Sequence, residues 1–316
     1  MPSIYWLYIS LGIVGFALIN YFGLTLMISY FIYRSLFVHT SKEKWGRHVS
    51  WDDEELRSMF KSGEEWGHKY DSYRKTVSIT SDNFKLIGEY FNFGNKRAVI
   101  VIPGRSESGT YSYYFSEPYR KSGFNVLAID NRCHGLSEGK YNTLGVKEHH
   151  DLIAWINYLH DVEHVEEVIV HGICIGSATA LIALTRDNCP SCFKGLIAEG
   201  TYTTFREMLN NQLRKRNKPI FPHVSEVLMM VSFKAKENVL KYSPIDLIDK
   251  VKVPVLFLYS KADSVVKPEK SLELFNKLQS EKRLVWFDKG DHSHIRIHNM
   301  EKYDSSIEQF LKDYFH

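Results

Sequence analysis

Excess charge is small in this chain. Forty Lys and Arg stand against 37 Asp and Glu, a net charge of +3, too small to argue for a nucleic-acid partner. Cysteine is scarce as well. Four in 316 residues do not make a disulfide framework. The single Cys-x-x-Cys, Cys189-Pro190-Ser191-Cys192, has no second pair and no histidines at finger spacing nearby, which argues against zinc. It is expected in a loop between a helix and a strand, with a redox role as the lesser alternative. Nothing in the sequence calls for a metal or an organic cofactor.

Charge is missing altogether between Ile4 and Tyr33. A signal peptide would show a basic start, a shorter apolar core and a small-residue cleavage site, and this stretch has none of them clearly. It is rich in Ile, Leu, Phe and Tyr and exceeds the roughly 20 residues that cross a bilayer. Tyr5, Trp6 and Tyr8 at one end, and Tyr30 and Tyr33 at the other, suit the two interfaces. The expectation is a retained transmembrane anchor with its flank, residues 1–40. Arg34, Lys42, Lys44 and Arg47 follow it, so the positive-inside rule puts the body on the cytoplasmic side.

Residues 41–74 are polar and aromatic, with Trp45, Trp51 and Trp66. They read as a juxtamembrane linker with short helices docked on the body. Trp51-Asp52-Asp53-Glu54-Glu55 predicts a helix start, its acids near the positive end of the helix. From Thr76 the pattern changes to strands. Two alternating runs around Ser81-Asp82-Asn83 predict a hairpin. Apolar strands follow at 98–102, 125–130, 168–170, 195–199, 254–259 and 283–287. Helices are expected at 148–159, after Ala178, at 267–278 and at 303–314. Strands alternating with helices give the expected fold class: α/β, a mostly parallel central sheet with helices on both faces. Residues 201–251 break the alternation. They are helical, carry Arg214-Lys215-Arg216 and Leu228-Met229-Met230-Val231, and suit a helical cap inserted into a 75–316 domain. The basic run is most simply a solvated face, and the apolar run is either packing or a pocket lining.

One stretch carries chemistry. The strand Val168-Ile169-Val170 leads into Gly172-Ile173-Cys174-Ile175-Gly176, and a helix-forming run follows from Ala178. This is the strand–turn–helix context of a Gly-x-Ser-x-Gly nucleophile elbow, with Cys at its apex. The tight turn demands a strained apex and neighbours without bulk. A thiol ionises far more readily than a hydroxyl, so thiolate attack on an ester is chemically sensible.

Four motifs in order resemble the α/β-hydrolase superfamily, in particular its membrane-anchored bacterial esterase-like and serine-aminopeptidase-like members. They are Pro103-Gly104-Arg105 after a strand, the segment Asp130 to Gly139 with Cys133 where the family has Gly, the elbow, and Tyr259 to Asp263 followed by Gly290-Asp291-His292. The resemblance implies a triad of Cys174, Asp263 and His292, in the chain order this fold demands. Asp246 and Asp249 are the lesser acids, since they precede the strand. His294 is the rival base, and His298 is expected as a surface residue further along the loop. His149 and His150 are expected on a helix, at the surface or partly packed. The oxyanion hole would use the backbone N–H groups of Ile175 and Arg105, and the Arg105 side chain either approaches the thiol or points to solvent. The expected function is cleavage of a small-molecule or acyl ester by a membrane-anchored hydrolase. A hydrolase-fold binding module with little turnover is the alternative.

Overall fold

The computed structural model describes residues 2–48 and 53–315. The chain opens with α1 (Pro2–Phe37) and α2 (Glu54–Lys69). Asp53 caps α2 by accepting a hydrogen bond from the Leu56 N–H at 2.9 Å, while Trp51 and Asp52 of the predicted helix start lie outside the described residues. The hairpin β1 (Arg74–Ser81) and β2 (Phe84–Phe91) turns through Asp82 and Asn83, both at positive φ, the geometry of a two-residue hairpin turn. Then come β3 (Arg97–Ile102), a 3-10 segment at Gly109–Phe115, α3 (Glu117–Lys121) and β4 (Asn125–Ile129). They lead to α4 (Glu148–Asp161), β5 (Glu167–Ile173), α5 (Ile175–Leu184) and β6 (Phe193–Glu199).

A helical insertion follows: α6 (Phe205–Lys215), α7 (His223–Ala235) and the short α8 (Pro244–Leu247). The chain closes with β7 (Val255–Ser260), α9 (Pro268–Lys277), β8 (Lys282–Phe287) and α10 (Ile295–Tyr314). The sheet order is β1-β2-β4-β3-β5-β6-β7-β8. β2 is antiparallel to β1 and β4, and the pairs from β4–β3 through β7–β8 are parallel. The central strands are buried on both faces, as continuous apolar runs such as Ala98 to Ile102 require. α10 begins eight residues before the predicted start at 303, with a kink at Asn299, so His298 lies on a helix rather than in a loop.

α1 is divided by its own burial. Its side chains are exposed over most of its length from Ile4 to Leu24, whereas Thr25, Ser29, Tyr33, Leu36 and Phe37 are buried at helical spacing. The packing boundary therefore falls near residue 25, well before the compositional boundary at 40. α1 ends where the Lys44 ammonium donates to the carbonyls of Arg34, Ser35 and Val38, a cation on a helix C-terminus.

Candidate active site

β5 runs out of the sheet and turns at Cys174 into α5. Cys174 has φ 54° and ψ −108°, a conformation that costs a non-glycine residue roughly 1–3 kcal/mol. The flanking glycines make that turn possible. A Cβ on Gly172 would lie 2.4 Å from the Ser177 nitrogen, and one on Gly176 would lie 2.5 Å from the Ile102 carbonyl oxygen. The Cys174 N–H donates to the Glu199 carbonyl at 2.8 Å, which ties the elbow to the end of β6.

Two loops bring the partners in. Asp263 follows β7, and His292 follows β8. His292 Nδ1 donates to Asp263 Oδ2 at 2.8 Å. The other carboxylate oxygen, Oδ1, accepts from the N–H groups of Val265 and Val266, each at 2.7 Å. Asp263 is therefore oriented by backbone, and it orients the imidazole. Nε2 of His292 is buried and, among the described residues, has no partner at hydrogen-bond distance, so it is the nitrogen left for a reacting thiol. Burial opposes charge on His292, yet Asp263 and Cys174 together hold its pKa well above the ordinary histidine value. Cys174 is thus close enough to the ring to act on it electrostatically. The other candidate histidines lie away from this pair. His294 Nδ1 and His298 Nε2 both meet Glu55 on α2, at 3.1 and 2.8 Å. His149 is buried with neither ring nitrogen bonded, and His150 is half-buried. Asp246 and Asp249 are exposed.

The loop after β3 carries the other half of the site. Among the described residues, neither the Arg105 N–H nor the Ile175 N–H makes a hydrogen bond, which leaves both as donors. The Arg105 side chain is buried. Its Nη1 donates to the Leu36 carbonyl in the last turn of α1 at 2.8 Å, and its Nη2 reaches Gln212 on α6 at 3.5 Å. It points neither to solvent nor into a bond with the thiol. Its carbonyl is held by His134, whose Nε2 donates to it at 2.7 Å while Trp45 stacks on the ring at 4.5 Å.

The Asp130–Gly139 motif is visible in the sequence, but its bracing role is not. Asp130 Oδ1 accepts from Gly109 at 2.7 Å, and Oδ2 accepts from Arg47 and Leu136, each at 2.9 Å, so the segment braces the loop that holds Arg105. Glu107 was missed too. Its carboxylate folds back over Gly104, among Arg105, His292 and His294, and burial pushes its pKa up. No spacing in the sequence announces it. The four cysteines are all free thiols, with Cys189 half-buried and the other three buried. Among the described residues, no cluster of three or more His, Cys, Asp or Glu is arranged to hold a metal ion.

Comparison with known proteins bears on the family and the fold. A relative from Bacillus subtilis, the uncharacterized protein YqkD, is 27% identical over 215 residues, 67% of this chain and 70% of its own. Protein bem46 of Schizosaccharomyces pombe is 30% identical over 168 residues, covering 52% of this chain and 50% of that protein. Among solved structures, the Pyrococcus furiosus esterase Pf2001 superposes with a TM-score of 0.66 at 24% identity, over 79% of this chain and 94% of its own. The family model described as the prolyl oligopeptidase family matches residues 111–316, a span that contains the elbow, Asp263 and His292. The chain therefore belongs to the prolyl oligopeptidase family, and it is a hydrolase with the α/β-hydrolase fold.

Proposed function

We propose that the protein is a membrane-anchored esterase that works through Cys174, His292 and Asp263 and a covalent acyl-enzyme. The observation that carries this is the His292–Asp263 pair, with an unbonded Nε2, beside an elbow whose apex is a thiol. In the first half-reaction the Cys174 thiolate attacks the ester carbonyl carbon and the S–C bond forms. Negative charge collects on the carbonyl oxygen, where the N–H groups of Ile175 and Arg105 receive it. The C–O bond then breaks, and the departing alkoxide takes a proton from the His292 imidazolium. In the second half-reaction His292 accepts a proton from water, the water oxygen attacks the thioester, and the S–C bond breaks to return the thiolate. Asp263 stays ionised and stabilises the imidazolium throughout.

An ester substrate follows from the chemistry of a thiolate. From the tetrahedral intermediate a thiolate leaves far more readily than an amine, whereas the gap to an ester's alkoxide is smaller and is closed when the His292 imidazolium protonates the leaving oxygen. The similarity to a named esterase agrees with this choice. The anchor reading is supported by the 23 or so residues of α1 that precede the packed face, about 34 Å of helix against a hydrocarbon core of about 30 Å. The charges that follow α1 favour a body on the cytoplasmic side.

The test is turnover of a panel of acyl esters by the full chain in detergent. Cys174→Ala and His292→Ala should each remove most of it, because triad members act as a unit. His294→Ala should leave it nearly intact. Equal, negligible turnover by the parent and both variants across the panel would favour a binding module on the same fold.

A further inference from the structure

α1 does not leave the body alone. α7 packs along its last turns. Thr25 Oγ1 donates to Glu226 at 3.1 Å, Ser29 Oγ donates to the same carboxylate, and His223 Nδ1 lies 2.7 Å from Ser29 Oγ. Further along, Lys234 of α7 and Tyr30, Tyr33 and Arg34 of α1 line one cleft. Residues 223–234 are thus level with residues 25–34. That level is where the exposed apolar part of α1 ends and its first charge, Arg34, appears, so it corresponds to the interfacial zone of a bilayer.

At this level the insertion shows lipid-compatible surface. Phe221 is 84% exposed and Phe233 77%, the two most exposed large apolar side chains in the described protein, and Met229 lies between them on the same helix face as Phe233. An exposed apolar patch of this kind marks an interaction site. Its surroundings are cationic. Residues 206–241 hold eight Lys or Arg against three Glu. The shared cleft, about 350 Å³, is lined by Arg34, Lys140 and Lys234 and by no carboxylate. None of those three cations forms an ion pair among the described residues; Lys234 lies over the Tyr141 ring at 4.8 Å instead.

We infer that α7 and the loop before it are a second membrane contact continuous with α1: Phe221, Met229 and Phe233 enter the leaflet, the cleft of Arg34, Lys140 and Lys234 takes an anionic phospholipid headgroup, and the ester substrate is a lipid-borne acyl ester drawn from that leaflet. The occupant is fixed by continuity with α1 and by the match of basic surface to acidic headgroups. The substrate class follows from the roof of the site. Cys174 is only 6% exposed, and the loops around it are held by α1, which meets lipid, and by α6, which is tied to α7 by the Arg206–Ser225 hydrogen bond at 2.9 Å. The last turn of α1 binds Arg105, α6 binds Arg105 through Gln212, and Asn211 of α6 donates to Val265, next to Asp263, at 2.8 Å. The inference rests on reading α1 as a membrane segment and the site as an esterase.

The experiment uses the full chain in vesicles of phosphatidylcholine with and without phosphatidylglycerol. In a Cys174→Ala, Cys189→Ser background, an environment-sensitive fluorophore is placed in turn on Ile13→Cys, Phe221→Cys, Phe233→Cys and Met300→Cys. Labels at 13, 221 and 233 should be quenched by a nitroxide lipid and shielded from aqueous iodide, and the label at 300 should behave the opposite way. Lipid quenching at 13 with iodide quenching at 221 and 233 would overturn the second contact and leave the anchor standing. Iodide quenching at 13 would overturn both. Phosphatidylglycerol should strengthen vesicle binding of the parent, and combining Arg34→Gln, Lys140→Gln and Lys234→Gln should abolish that gain; no gain in the parent, or an undiminished gain in the variant, would refute the headgroup cleft. The double variant Phe221→Ser, Phe233→Ser should slow turnover of a long-chain ester embedded in vesicles by about tenfold or more. Its turnover of a soluble short-chain ester should stay at the parent rate, which also shows that it is folded. Equal loss, or no loss, on both esters would contradict a lipid-borne substrate.

Discussion

At the scale of single residues, Cys174 differs from the other three thiols in its company. Burial raises the Cys133 pKa well above that of an ordinary thiol, pushes Cys189 up to about 11, and raises Cys192 as well. Only the thiolate is a good nucleophile. Iodoacetamide near neutral pH should therefore label Cys174, beside His292, ahead of the other three, although Cys189 is the more accessible thiol. Peptide mapping reads the order, and a slow Cys174 would count against an activated nucleophile. Cys174→Ser should give much poorer turnover, because a hydroxyl needs the imidazole as a strong general base throughout; rescue by Ser would instead mark a decayed serine site. Asp263→Asn should cost heavily through the tautomer of His292. A different histidine sets a pH dependence of folding. Burial, then His150 and Arg186, depress His149 to about 4. Its folded value lies below its unfolded value near 6.5, so its contribution to stability is full above pH 6.5 and is lost as pH falls towards 4. His149→Leu should flatten the slope of urea stability against pH in that window. The elbow, Asp263 and His292 were legible because each stands at a strand end bounded by glycine or a turn. The roles of Glu107 and His134 were not, because they act by folding across the site onto residues 3 and 29 positions away.

Elements divide in the same way. The hairpin and the strands followed from alternation and apolar runs, since a sheet repeat is written into adjacent residues. What α1 does after residue 25 was hidden, because Tyr33, Leu36 and Phe37 serve equally well in a lipid span and in a protein core. The Arg105 bond to Leu36 was hidden for another reason: its acceptor is a backbone carbonyl, which no side chain advertises. That bond couples the end of α1 to the candidate oxyanion loop. Arg105→Met should cost about 1–3 kcal/mol, since it leaves buried polar groups without partners. It should also lower kcat more than it changes KM, because the loop donor moves while the rest of the cleft stays. Thermal unfolding and steady-state kinetics on soluble esters give the two numbers. An unchanged kcat would separate α1 from the site.

For the molecule as a whole, the burial pattern says where it can be cut. A chain beginning near residue 41 loses Tyr33, Leu36 and Phe37 from the core and uncovers the face of α7 that binds α1. Deleting residues 2–24 keeps that interface. The full chain should resist carbonate extraction from membranes, the shorter deletion should be released by it, and the deletion to 40 should be the least stable of the three by thermal melt. Mapping the Cys189 thiol with a membrane-impermeant reagent on intact cells tests the side of the membrane: protection is expected, and labelling would reverse the orientation. If the proposed mechanism holds, Cys174 carries the acyl group during turnover. The direct measurement is acid-quenched mass spectrometry of the full chain during hydrolysis of a chromogenic acyl ester. The expected result is an acyl adduct on the Cys174 peptide, removable by neutral hydroxylamine as a thioester is, and absent together with turnover in Cys174→Ala. Sustained turnover by Cys174→Ala, with no adduct at that position in the parent, would contradict it.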